Sequence, residues 1–263
     1  MSYQQHRGKQ FFIVLILTAL FALGGYGASY FSKQFWRAEA EIVAPTTNEL
    51  GNYYSLFSIY QLISGEKAAA SESSKRVFHE FQRQLAAYDN ISGFWQNSAL
   101  YKQQVTGNTQ NDGMLLDELV RRVSFSRETP ESAAKISLES DNPKQAVELL
   151  LGLMEYTNYV TRSVVYNELI AQWKDLFNQV NSATQLKSGQ QADAQDWQGK
   201  LNMMKSVSAL DNNLIAYRYM KKPMLPIYAT YPDRYLWAVI GGAGGLVFGL
   251  LLILLFPSKR KES

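Results

Sequence analysis

The sequence predicts an α+β membrane protein: two terminal transmembrane helices around an α/β base that carries a long helical hairpin arm. Three observations predict it. Uncharged apolar runs of 22 residues stand near each end, Phe11–Ser32 and Tyr235–Phe256. Short stretches of strict apolar/polar alternation occur between them. A proline-free stretch from Lys144 to Lys222 carries apolar residues at helical spacing.

The apolar runs come first. A 22-residue helix rises about 33 Å, enough for a hydrocarbon core of about 30 Å. If both cross, the tails share one side and everything between lies on the other. His6, Arg7 and Lys9 ahead of the first run, with Gly24, Gly25, Gly27 and Ala28 inside it, also resemble a cleaved signal peptide. Apolar character persists through Tyr30 and Phe31, which favours an uncleaved anchor. Within reach of the spans the tails and the middle each supply five Lys+Arg, so the positive-inside count is tied. Long domains translocate largely regardless of charge, which puts both tails in the cytoplasm and the middle domain, in a bacterium, in the periplasm.

Residues 33–234 hold 21 Lys+Arg against 22 Asp+Glu, a net charge of −1. Such a surface has no electrostatic footprint for nucleic acid. The chain has no cysteine, which excludes disulfides and thiolate sites.

In chain order, Trp36, Ala38, Ala40 and Ile42 alternate with Arg37, Glu39 and Glu41, a half-buried strand that Pro45 ends. Leu50, Tyr53, Tyr54, Phe57, Tyr60 and Leu62 space as a helix closed by Gly65. A second amphipathic helix runs from Lys67 to Asp89 with Val77, Phe78, Phe81, Leu85 and Tyr88 inward. The segment 91–101 reads as helix, 106–113 as a turn-rich loop and 114–120 as a short helix. Val123 and Phe125, then Ala134, Ile136 and Leu138, mark two strands about the turn at Thr129-Pro130. From Pro143 the longest helix runs to about Lys187, with Asn142 as cap. Ala146, Leu149, Leu153, Tyr156 and Val160 keep 3,4 spacing. Leu169, Trp173, Leu176 and Val180 resume it after a shift of phase near Val164 and Val165. Ser188-Gly189 marks the tip. Trp197, Leu201, Met204, Leu210 and Leu214 form the stripe of a return helix ending near Asp211 to Asn213. Ile215, Tyr217 and Tyr219 then read as a strand.

The expected divisions are a tail 1–10, a span 11–32, a base 33–141, an arm 142–213, a returning strand and strut 214–234, a span 235–256 and a tail 257–263. Pro223, Pro226 and Pro232 make the strut stiff and extended. In the second span Gly241, Gly245 and Gly249 form two Gly-x-x-x-Gly pairs. These let another helix approach closely, either the first span or a neighbouring subunit.

No catalytic constellation is legible. Asp112, Asp117 and Glu118 match no metal loop and read as the acidic face of a helix start. His79 reads as a rim residue. There is no phosphate-cradling Gly-x-x-x-x-Gly-Lys-Ser/Thr and no zinc spacing. Trp173 and Trp197 fall on helical stripes as core or contact residues. No cofactor or metal is expected.

Two terminal spans, the strand at Trp36–Val43, a long helical excursion, and Pro223 and Pro226 leading into Gly241–Gly249 together resemble the polysaccharide co-polymerases. These are the Wzz-type chain-length determinants of O antigen and related surface glycans. The resemblance covers almost the whole chain and rests on the order of parts. It implies a homo-oligomeric closed ring in the bacterial inner membrane. It also implies a glycan polymerase, lipid-linked polysaccharide and membrane lipid as partners, and no catalytic residues. The middle domain is small for that family, which implies a short arm. The arm's shift of phase near Val164 would suit one register with its own return helix and another with a neighbouring subunit. An export subunit for capsule or exopolysaccharide shares the double-span design. A two-span sensor is disfavoured by tails of about ten and seven residues, and a membrane-anchored hydrolase by the want of a carboxylate or histidine cluster.

Overall fold

A computed structural model describes residues 2–66, 69, 71–186 and 196–255, with side chains from residue 11 onward. The expected tip at Ser188-Gly189, the start of the second amphipathic helix at Lys67 and the tail 257–263 lie outside the described residues. The chain divides into two compact units. One contains both terminal helices, Ser140–Pro143 and the segment from Pro226; the other contains Ala38–Glu139 and Lys144–Leu225.

In the first unit, α1 runs Ser2–Ala28 and passes into a 3-10 turn at Ser29–Phe31, while α9 runs Arg234–Leu255. Phe11–Phe31 and Arg234–Leu255 are long and apolar enough to cross a membrane. Asp233 begins α9 as its cap: one carboxylate oxygen accepts from the N–H of Tyr235 at 3.0 Å and of Leu236 at 3.2 Å. Phe35 bridges Tyr231, accepting and donating backbone hydrogen bonds there. Pro226 and Pro232 flank that bridge.

The second unit is built on a four-stranded sheet of order β2-β3-β1-β4, with β1 Trp36–Val43, β2 Val123–Arg127, β3 Ala134–Ser140 and β4 Arg218–Lys221. β2 and β3 form an antiparallel hairpin in unbroken register from Val123↔Leu138 to Arg127↔Ala134. β1 and β4 pair antiparallel with an irregularity between Glu41 and Ile42. Period-two alternation sends Ala38, Ala40, Ile42, Ala134, Ile136 and Leu138 into the core. The opposite face carries Glu39, Glu41, Lys135 and Lys221, paired as Lys135–Glu41 at 3.4 Å and Lys221–Glu39 at 3.9 Å.

Helices gather over the apolar face, α2 Asn52–Ser64, α3 Ser71–Ala86, α4 Tyr88–Asn97, α5 Ala99–Gln104, α6 Thr109–Arg121 and α7 Pro143–Gln185, while α8 Trp197–Lys205 packs farther along α7. Val77, Phe78, Phe81 and Leu85 of α3 are buried. Tyr88 is not part of that face: α3 ends at Ala86, and Tyr88 opens α4, half exposed, with its hydroxyl on Asp117 at 2.5 Å. The loop expected over 106–113 is shorter, because Asn108 caps the N–H groups of Gln110 and Asn111 and starts α6 at Thr109.

The 43 residues of α7 extend about 65 Å. Its buried line is continuous through Ala146, Leu150, Met154, Thr157, Thr161, Val165 and Leu169. The shift of phase near Val164 does not occur. The line passes through two threonines that read as polar in sequence, while Tyr156 and Val160 are only partly buried. Beyond Leu169 a second, smaller core gathers Val180, Leu201 and Met204 with Ile63 of α2. Trp173, Phe177 and Trp197 pack against it. The outer half of α7 is thus covered by the end of α2 as well as by α8.

The return leg is the largest departure from expectation. α8 stops at Lys205, and the chain from Ser206 to Tyr217 is neither helix nor paired strand. Leu214 and Ala216 point inward, whereas Ile215 is half exposed; hydrogen-bonded pairing begins only at Arg218. Residues four apart share a face in extended chain as in helix, so Leu210 and Leu214 fit both.

Candidate functional site

Two features are built from side chains that the simple periodicities leave unexplained: the seam between α1 and α9, and the cradle that α7 makes for the returning chain.

The seam is set by missing side chains. α1 and α9 run antiparallel, with Val14 beside Gly249 and Gly25 beside Gly241. A Cβ placed on Gly241 would lie 2.3 Å from the Phe21 carbonyl oxygen, and one on Gly25 2.4 Å from that of Trp237. At Gly245 it would lie 2.7 Å from Phe21 Cβ and 2.8 Å from the Leu17 carbonyl oxygen. At Gly249 the nearest atoms belong to Val14, at 3.3 Å. Any side chain at the first three positions forces the helices apart. In lipid, where no hydrophobic drive pushes helices together, such close backbone approach is what holds a pair. Gly244 has nothing within 4 Å, so the glycines divide into packed and open sets. Within the chain the packed glycines of α9 face the first apolar helix. The counterpart of Gly241, Gly25, stands in a Gly-rich turn of α1, outside any Gly-x-x-x-Gly pair. Phe21 and Phe248 stack beside the seam, ring centres 5.8 Å apart.

The cradle runs along α7. Asn158, Arg162 and Tyr166 stand four residues apart on one face. The Asn158 amide donates to the Leu214 carbonyl at 3.2 Å and accepts from the Ala216 N–H at 2.8 Å. Arg162 donates to the Asn212 carbonyl at 2.7 Å, and the Tyr166 hydroxyl to that of Asp211 at 2.8 Å. From the other side Asn52 donates to the Ala209 carbonyl at 3.0 Å, and the Ile215 N–H to the Glu49 carbonyl at 2.8 Å. Side chains thus supply partners that a strand would have taken from a neighbouring strand. Gly51, at φ +56, lets Asp211 approach: a Cβ there would meet its carboxylate at 2.6 Å. Desolvation raises the Tyr166 and Tyr53 hydroxyls to about 12, so both are neutral, and Tyr166 keeps its proton to donate. Beside the cradle a groove of about 550 Å³ opens over Leu56, Ile170, Trp173, Phe177 and Leu210.

The acidic residues do not converge. Asp112 accepts from the N–H groups of Thr106 at 2.8 Å and Gly107 at 2.9 Å, which holds its carboxyl below the usual range. Asp117 takes the Tyr88 hydroxyl, and Glu118 pairs with Arg122 at 2.6 Å. Among the described residues no three His, Asp or Glu gather as a metal site, and His79 is exposed. What the arrangement offers is shape and adhesion.

That geometry has counterparts. A full-length bacterial polysaccharide co-polymerase superposes with a TM-score of 0.63 at 14% identity, covering 98% of both chains. The fold is that of the polysaccharide co-polymerases. A fragment of WzzB, the co-polymerase from Salmonella Typhimurium, superposes at 0.54 with 14% identity, covering 75% of this chain and 99% of the fragment. No family-wide sequence profile matches. Among curated proteins the chain is similar to the ECA polysaccharide chain length modulation protein of Salmonella typhimurium strain LT2, 29% identical over 171 residues. It is also similar to the protein of that name in Escherichia coli K12, 34% identical over 109 residues. These matches take in 62% and 40% of this chain but span only 48% and 31% of the two relatives. The relatives are chain-length modulators by name, and the co-polymerase fold extends here through both terminal apolar helices.

Proposed function

We propose that this chain is a non-enzymatic regulator of the modal chain length of a surface polysaccharide, O antigen or a related glycan. It acts as a homo-oligomeric scaffold in the bacterial inner membrane, beside the glycan polymerase and its lipid-linked product. The observation that carries this reading is the superposition along 98% of a full-length co-polymerase, both terminal helices included. Similarity to relatives named for chain length modulation supports the same conclusion. Both tails face the cytoplasm and the central unit faces the periplasm. Gly241, Gly245 and Gly249 clamp the two spans. Pro223, Pro226 and Pro232 stiffen the approach to the second span.

The experiment is a gel of surface polysaccharide from the host with and without the gene. Loss of the modal band, with short or randomly distributed chains remaining, is the expected result. Loss of all surface glycan, with material retained inside the cell, would overturn it in favour of export, and an unchanged ladder would overturn it outright. The absence of cysteine gives a direct test of orientation. A single cysteine introduced at exposed Tyr159 should react with an impermeant thiol reagent in intact spheroplasts.

A further inference from the structure

We propose that the face of α1 and α9 just below Arg234 is a binding site for one acyl chain of an anionic phospholipid, with the lipid phosphate held by Arg234.

The chain site is a groove of about 550 Å³ between the helices, lined by Leu20, Phe21, Gly24, Ala28, Trp237 and Ile240. Its depth comes from α1, where Gly24 and Ala28 stand one turn apart and leave the helix bare. An added Cβ at Gly24 meets nothing within 4 Å, so the glycine is not there to admit α9. From Leu20 to Ala28 the helix rises about 12 Å, close to the ~15 Å of one hydrocarbon leaflet. The groove opens outward to the side, so a chain enters from lipid without the helices parting.

The head site follows from charge. Arg234 lies one turn above Trp237 on α9, and side chains three apart on a helix are neighbours. Its guanidinium donates to the Tyr30 hydroxyl at 3.2 Å and lies 4.4 Å from the centre of the Tyr30 ring. Neither contact neutralises it. The adjacent Asp233 is committed as the cap of α9, and Asp141 of the same unit pairs with Lys33 at 3.0 Å. Among the described residues Arg234 makes no ion pair. A guanidinium presents five donors in a planar fork, and phosphate is the group that fork fits best. An apolar slot of one-leaflet depth beneath an unneutralised Arg and a Trp, an amphipathic ring at home at this level, matches an anionic phospholipid.

The test uses the full chain in mild detergent, with phosphatidylglycerol and phosphatidylcholine of equal chain length added together and bound lipid counted by native mass spectrometry. One phosphatidylglycerol per chain should be retained, at about fivefold preference over phosphatidylcholine, the factor expected for one cation near an anionic headgroup. Gly24→Leu fills the groove without touching α9 and should lose both lipids. Arg234→Gln should keep lipid but lose the preference. Lys33→Gln, a charge already paired, should leave the preference unchanged. Wild-type occupancy in Gly24→Leu, or an undiminished preference in Arg234→Gln, would overturn the assignment. So would disulfide formation between copies through Trp237→Cys, since the groove would then be a subunit contact. The inference rests on both helices crossing a bilayer, and alkaline extraction tests that premise separately. Release from membranes fails the premise; retention without lipid preference fails the lipid site alone.

Discussion

Gly245→Leu is the sharpest perturbation of the seam. The added Cβ begins 2.7 Å from Phe21 Cβ, 2.8 Å from the Leu17 carbonyl oxygen and 3.0 Å from Thr18 Cα. Carbon atoms in contact prefer about 3.5–4.0 Å, so even the first carbon pushes the helices apart by about 1 Å, and the rest of the leucine pushes further. A gap of that size forfeits a quarter to a half of each contact it opens. Overpacking of this kind costs about 1–3 kcal/mol. The readout is a disulfide. A Cβ on Gly242 would lie 3.5 Å from Ala22 Cβ, within the span a disulfide bridges. Ala22→Cys with Gly242→Cys in this cysteine-free chain should therefore oxidise within one molecule. The oxidation rate should fall about fivefold to a hundredfold when Gly245→Leu is added, that range being the packing cost expressed as an equilibrium. Gly244→Leu, which meets nothing within 4 Å, should leave the rate alone. Equal rates in the Gly245 and Gly244 variants would refute the argument that missing side chains hold the pair.

Four further outcomes are expected. Thr157→Val strips the acceptor from the buried Asn90 amide, 2.9 Å away, and should cost about 1–3 kcal/mol in thermal or denaturant unfolding. Thr161→Val removes a buried hydroxyl that has no hydrogen-bond partner among the described residues and should be neutral or slightly stabilising by the same measure. Asn158→Ala leaves the Ala216 N–H and the Leu214 carbonyl unpaired, and hydrogen exchange at Ala216 should rise by about tenfold or more, with the sheet less affected. For Asp112 the carboxyl pKa is lowered in the fold, so its contribution is present above the ordinary value near 4 and is lost as pH falls through the lowered one. Protection of the Thr106 and Gly107 amides should fall in acid below about pH 4, and Asp112→Asn should remove that dependence.

What the sequence discloses follows from how much of each element's geometry is written as apolar spacing. β1 is legible to the residue, since Trp36–Ile42 alternates without fault and the sheet buries alternate side chains. Both apolar helices are legible because length and composition alone define them. The course of α7 past Met154 is not. Its buried line uses Thr157 and Thr161, which count as polar in any apolar tally, and following Tyr156 and Val160 instead creates a change of phase that the helix does not have. The returning chain is hidden for a different reason. Its order comes from Asn158, Arg162 and Tyr166 on another element, 45 to 58 positions away along the chain. No local pattern in Ser206–Tyr217 records those partners. In the seam the glycines of α9 stand out by density, whereas Gly25 is significant only once Gly241 is seen against it.

The place of β1 beside β4 has a consequence for how such chains diverge. Glu41 pairs with Lys221 and Val43 with Arg218, so the first and last strands of the central unit are neighbours although about 180 residues separate them. Everything between leaves and returns through that one doorway. Lengthening the excursion, for instance by whole turns inserted in matched positions of α7 and α8, need not disturb the strand pair that closes it. The entropic penalty grows only with the logarithm of contour length, about 0.6 kcal/mol for each doubling. Reach is therefore a nearly free variable in this architecture, and selection can tune it in small steps while the closure stays constant.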